Sequence, residues 1–186
     1  LKIRAGFKET NGLEIAQIAE DLGVKALIIH PRLQTGGFSA LLDYKLVEQI
    51  KKTIKIPVIF SGNINNFKRL QKVHERTGVD GFMIGRALWG CPWKMREIME
   101  HAAGNEYNIS LLENIKLAID HLQYNIELYG TGRGVNHFKK QLPQYIKNIV
   151  GAAQIRSRLV RYHSQEEMNE ELSKLVENIE SGAIQE

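Results

Sequence analysis

Ile56-Pro57-Val58-Ile59-Phe60-Ser61-Gly62-Asn63-Ile64 and, after a helical segment, Gly81-Phe82-Met83-Ile84-Gly85-Arg86-Ala87-Leu88-Trp89-Gly90-Cys91-Pro92-Trp93 form the stretch on which the fold turns. Each half opens on a short apolar run and reaches a glycine flanked by small, polar or basic residues. Such runs fit buried parallel strands whose C-terminal ends open into ligand-binding loops. The loops here are Ser61-Gly62-Asn63 and Gly85-Arg86. Glycine lets the backbone approach a ligand closely, and free N–H groups beside an arginine suit a phosphate. A glycine after a strand also marks a simple turn, and the spacing alone leaves both readings open.

Upstream, the same alternation repeats. Leu1 to Arg4 reads as a strand, and Asn11 can cap a helix with Ile15, Ile18, Ala19 and Leu22 at helical spacing. Gly23 ends that helix, Ala26 to His30 is the next strand, and a polar loop runs from Pro31 to Ser39. Leu42, Leu46, Val47 and Ile50 mark a second helix before the strand Val58 to Phe60. Phe67, Leu70 and Val73 share a face of the third helix, which ends at Gly78. Gly81 to Ile84 is the fourth strand, followed by a helix marked by Met95, Ile98, Met99 and Ala102. Four βα units in series predict parallel strands joined by crossover helices. They make either half of an eight-stranded barrel or a small open doubly wound sheet, and in both the ligand lies at the C-terminal strand ends. Lys2, Arg4, His30, Arg32, Ser61 to Asn63, Gly85 and Arg86 are all expected there, which favours a site over a set of turns.

Gly104-Asn105 reads as a linker, dividing residues 1–104 from an all-helical region over 105–186. Leu112, Ile115, Ile119, Leu122, Ile126 and Tyr129 alternate spacings of three and four, the pattern of a bundle helix. Gly130 to Gly134 is expected to break it; a second helical region follows from Val135 to about Tyr162, then a last helix carries Met168, Leu172, Leu175 and Ile179. Charge is segregated. Arg133, Lys139, Lys140, Lys147, Arg156, Arg158 and Arg161 lie in a region without a single Asp or Glu, whereas the tail is rich in glutamate. With Tyr145 and Tyr162 interleaved, that block suits a nucleic-acid backbone; the alternative is a solvated face balanced by the acidic tail.

The whole chain has 186 residues, 43% hydrophobic and 25% charged, with a net charge of +4, as in a soluble globular protein. No apolar run approaches the roughly 20 residues that span a bilayer. The single cysteine, Cys91, excludes an internal disulfide and a cysteine-rich zinc site. No metal, no membrane and a reducing cytoplasmic setting are expected. The chain opens on Leu1-Lys2-Ile3-Arg4, strand residues without a lead-in, which is expected of a piece of a longer protein.

Four motifs together resemble the tRNA-dihydrouridine synthase family: Lys2-Ile3-Arg4-Ala5-Gly6; His30-Pro31-Arg32; Ile56 to Ile59 with Ser61-Gly62-Asn63-Ile64; and Met83-Ile84-Gly85-Arg86 with Pro92-Trp93. In the helical region, Tyr145-Ile146-Lys147 and Gly151-Ala152-Ala153-Gln154-Ile155-Arg156 resemble that family's C-terminal domain. The resemblance covers essentially the whole chain. It implies an α/β fold, the C-terminal half of a TIM (β/α)8 barrel followed by a helical bundle that binds tRNA. It also implies FMN as cofactor, NADPH as the reductant, and reduction of the C5–C6 double bond of uridine in tRNA. Lys2 would lie near flavin N1 and O2, stabilising the anionic reduced ring; the alternative is an ordinary strand-end lysine. His30 would contact the flavin or its ribityl chain; the alternative is a core histidine with a satisfied hydrogen bond. Ser61, Gly62, Asn63, Gly85 and Arg86 would hold the FMN phosphate. Arg32, Arg133, Lys139, Lys140, Lys147, Arg156 and Arg158 would contact the RNA, and the full-length protein is expected to be monomeric.

The sequence also departs from the family. Members usually read Asn-Gly-Asp where this chain has Ser61-Gly62-Asn63, which keeps backbone contacts and alters side-chain ones. A basic residue often stands at Gln34 and a glutamine at Gly36. The frequent Arg-Lys-His is here Lys139-Lys140-Gln141, retaining charge without arginine's fork. The family's proton donor is a cysteine in an Asn-x-Gly-Cys-Pro loop in the half of the barrel preceding Lys2, and no such motif occurs here. Cys91-Pro92 aligns elsewhere and is expected to be structural. The isolated chain is therefore expected to be catalytically inactive, and exposed strand edges are expected to make it self-associate. Two rivals stand beside this reading. One is another FMN barrel oxidoreductase acting on a small molecule such as a pyrimidine; the other is a non-catalytic RNA-binding remnant.

Overall fold

Alternation of side chains along four short strands builds the first layer. The computed structural model describes residues 1–37, 40–147 and 149–184. Strands β1 (Lys2–Gly6), β2 (Leu27–Leu33), β3 (Val58–Ser61) and β4 (Gly81–Met83) form one parallel sheet in the order β1-β2-β3-β4. Ala5, Leu27, Ile29, Val58 and Phe60 point to one face. There they pack on Ala16 of α1 (Gly12–Asp21), Leu46, Val47 and Ile50 of α2 (Tyr44–Thr53), and Val73 of α3 (Phe67–Thr77). The strand order never reverses, so there is no switch point and the doubly wound alternative is excluded. Helices on one face of a sequentially ordered parallel sheet make the wall of a partial (β/α)8 barrel. Lys2, Arg4, His30 and Ser61 alternate with the core residues and face away from the helices.

The second strand runs further than expected. Pro31 and Arg32 belong to β2 rather than to the loop, and the pairing slips beyond Arg4↔His30, so that Gly6 meets Leu33. Proline lacks the N–H that a regular ladder needs, and a bulge accommodates it. Arg4 closes the gap: Nε donates to the Arg32 carbonyl at 3.4 Å and Nη2 to that of Leu33 at 3.2 Å. Of the expected loop, Phe38 and Ser39 lie outside the described residues. Asn11 precedes α1 without a side-chain cap bond, whereas Asp43 and Asn66 cap α2 and α3 through their carboxylate and amide oxygens.

Contacts divide the chain into two units, Leu1–Leu88 with Lys94–Glu106, and Trp89–Trp93 with Tyr107–Glu186. The first includes α4 (Lys94–Ala102). The second holds α5 (Leu111–Tyr129), α6 (Thr131–Lys139), α7 (Leu142–Tyr145), α8 (Ala152–Leu159) and α9 (Gln165–Glu180). The expected break over Gly130 to Gly134 shrinks to Gly130, with φ +77°; Thr131 resumes the helix. Gly134 faces α5 so closely that a Cβ there would lie 2.6 Å from Ile126 Cα. The expected helical region from Val135 to Tyr162 holds α6, α7 and α8 among the described residues: Pro143 sits in the first turn of α7 and Gly151 precedes α8 in the left-handed conformation, while Asn148 lies outside the described residues. Ile115, Leu122, Phe138, Leu142, Leu159, Met168 and Leu172 line the core. Tyr145 is fully buried within it, its ring edge-on to Trp93 at 5.6 Å, its hydroxyl 2.8 Å from His121 Nδ1, and its carbonyl accepting from Asn114 Nδ2 at 2.8 Å.

Candidate functional site

At the C-terminal rim of the strands a cavity of about 800 Å³ opens. Lys2, His30, Ser61, Gly62, Asn63, Gly85 and Arg86 all line it. The sheet supplies Lys2, His30 and Ser61 from its open face, and the loops after β3 and β4 supply the rest. Gly62 has φ +147°, and a Cβ on it would lie 2.9 Å from Leu42 Cδ2 and 3.3 Å from His30 Cδ2. Only glycine fits that floor. Asn63 takes the left-handed conformation at φ +52°, which asparagine tolerates better than most residues. From there its Oδ1 accepts from Arg86 Nη2 at 3.4 Å.

The cavity is electropositive. Among the described residues no Asp or Glu lines it. Burial, and then the charges of Arg4, Arg32, Lys2 and Arg86, lower the pKa of His30 to about 4. Its imidazole is therefore neutral at pH 7 and offers one donor and one acceptor. A glycine floor, a neutral imidazole and cationic side chains fit a ligand carrying a phosphate and a polar ring edge. Arg69 also lines the cavity, although no motif points to it. The signal for it is positional: the helix after Ser61-Gly62-Asn63 brings its first turn back beside the loop it follows.

The residues assigned to RNA fare unequally. Arg133, Lys140 and Lys147 are exposed and Lys139 is half-buried. Arg156 Nη1 donates to the Ile146 carbonyl at 2.5 Å, tying α8 to the end of α7. Arg158 is neutralised by the acidic tail, its Nε and Nη2 reaching Glu171 Oε1 at 3.0 and 2.7 Å. Arg32 is 4% exposed, with Nε and Nη1 buried and unpartnered, so it is taken off any surface on which RNA could lie. Cys91 is buried in the helical unit with Sγ 3.9 Å from Gln144 Oε1. Among the described residues no helix is long and apolar enough to cross a membrane, and no cluster of three or more His, Cys, Asp or Glu could hold a metal.

Comparison with known proteins gives a consistent picture. The family profile described as "Dihydrouridine synthase (Dus)" matches residues 1–180. A tRNA-dihydrouridine synthase B of Pectobacterium carotovorum is 33% identical over 183 residues, 96% of this chain and 57% of that protein. Its namesake in Shewanella oneidensis is 35% identical over 150 residues, 78% of this chain and 47% of the relative, and that of Pseudomonas aeruginosa 33% over 165 residues, 87% and 50%. The chain spans about half the length of the curated relatives it matches.

Proposed function

The chain belongs to the dihydrouridine synthase family, and from that premise we propose that it forms the cofactor-phosphate and RNA-docking portion of a flavin-dependent tRNA-dihydrouridine synthase. The acid-free cavity at the strand ends carries this reading. FMN, reduced by NADPH, would supply the hydride for the uridine C5–C6 double bond. Around it, Gly62, Asn63 and Gly85 would present backbone N–H groups to the phosphate, and Arg86, steadied by Asn63, would add a charge-assisted bond. Lys2 would place positive charge beside the ring, and neutral His30 would hydrogen-bond without adding charge. Arg133, Lys139, Lys140 and Lys147 would meet the RNA backbone, so tRNA affinity would fall steeply with salt.

On this reading Cys91, buried in the helical unit, serves packing and is not the proton donor. Two measurements test the proposal. The whole protein, expressed in cells devoid of other dihydrouridine synthases, restores dihydrouridine to tRNA by mass spectrometry; absence of both bound FMN and product refutes it. The isolated chain gives none, and measurable product from it overturns the assignment of the acid outside this sequence.

A further inference from the structure

We propose that Arg69 is a second cation on the bound phosphate, acting with Arg86 while Lys2 stays with the ring, so that the cavity selects a terminal phosphate monoester in its doubly ionised form. The inference rests on the flavin reading above and adds a residue that neither the motifs nor the comparisons assign.

Arg69 comes from the first turn of α3, which Asn66 fixes by accepting from the Arg69 N–H at 2.8 Å. Its half-buried side chain lines the cavity. One guanidinium nitrogen, Nη2, donates to the Tyr44 hydroxyl, and the guanidinium carbon lies 5.8 Å from the Tyr44 ring centre. Tyr44 in turn stacks on the core residue Phe60, ring centres 5.9 Å apart and planes 4° from parallel. The guanidinium is thus held by the core while most of its N–H groups remain available. No carboxylate pairs with it among the described residues. Two guanidiniums at a cavity that no Asp or Glu lines among the described residues exceed what a singly charged group needs and match a dianion held by forked donors. Arg76 stacks on the same Tyr44 ring at 4.4 Å yet does not line the cavity, which makes it a natural control.

The test compares flavins with and without the phosphate. FMN and riboflavin are titrated into the protein by flavin fluorescence, for wild type, Arg69→Ala, Arg69→Lys and Arg76→Ala, with thermal melts to verify folding. Arg69→Ala should weaken FMN about ten- to hundredfold, as expected for a charge-assisted hydrogen bond, and leave riboflavin unchanged. Arg69→Lys should fall between, and Arg76→Ala should match wild type. Equal FMN affinity in Arg69→Ala, or an equal loss for FMN and riboflavin, overturns the role of Arg69 alone. A wild-type protein that does not prefer FMN to riboflavin overturns the flavin-phosphate reading and this inference with it.

Discussion

Replacing Gly134 by alanine should destabilise the helical unit, whereas the same change two residues earlier should stabilise it. At Gly134 the new Cβ would lie 2.6 Å from Ile126 Cα and 2.7 Å from both Asn125 O and Ile126 N. Carbon atoms in ordinary contact are about 3.5–4.0 Å apart, so α6 must retreat from α5 by about 1 Å. The obstacle is backbone and cannot rotate aside, which places the cost in the upper part of the 1–3 kcal/mol range for overpacking. Alanine's better helix propensity returns about 0.5–1 kcal/mol. The net loss is about 2 kcal/mol, or a Tm lower by about 8–16 °C for a unit of this size. At Gly132 nothing lies within 4 Å of the added Cβ, so only the propensity gain remains and Tm should rise by about 2–8 °C. Both tryptophans, Trp89 and Trp93, belong to the helical unit, so their fluorescence reports its melting selectively. Shifts of the same sign in the two variants would refute the close approach of α6 to α5.

Other outcomes follow from the site and the caps. His30 has a folded pKa of about 4 against an ordinary 6.5, so the unfolded chain binds more protons between those values. Its contribution to stability should be full above pH 6.5, decline as pH falls through that window and level off below about 4; an NMR midpoint near 6.5 for its imidazole contradicts this. Gly62→Ala should abolish tight FMN binding, because the methyl would press on Leu42 and the His30 ring; unchanged affinity would show that the floor yields. Ser164→Ala removes the bond from the Glu167 N–H, 3.1 Å long, and should lower the tryptophan-reported Tm by roughly 4–8 °C for about 1 kcal/mol of lost capping. The Cys91 thiol should resist a disulfide reagent in the native protein and react rapidly in urea; fast native labelling would show it to be accessible.

Much of the first unit was legible because burial on both sides of a parallel strand leaves an unmistakable apolar run. The pair Ile56 to Ile64 and Gly81 to Arg86 placed two loops at the strand ends, and the seven residues expected to meet the cofactor share one cavity. Strand order was not legible, since four βα units fit two architectures until pairing is known. Pro31 concealed the end of β2: read locally it stops a strand, but the carbonyls freed at the bulge find donors on Arg4, which no local pattern displays. Gly132 and Gly134 misled for a related reason, being read as breakers when Gly134 instead answers to the backbone of α5. Positive charge was counted correctly and valued too evenly. Whether an arginine is available depends on its neighbours in space, and Arg32, Arg156 and Arg158 have theirs decided by burial, a carbonyl and Glu171.

The burial of Tyr145 has a consequence for exchange kinetics. Helix α7 is four residues long, far below the length at which a helix nucleates unaided in water. Its closing bond, from the Ile146 N–H to the Leu142 carbonyl at 3.1 Å, exists because Asn114, His121, Trp93 and Phe138 grip Tyr145 from several sides. Such a turn has no local fraying route of its own, since opening it means extracting an aromatic side chain from the centre of the bundle. The Ile146 amide should therefore exchange with solvent deuterium as slowly as the middle of α5, making this four-residue helix one of the last to open.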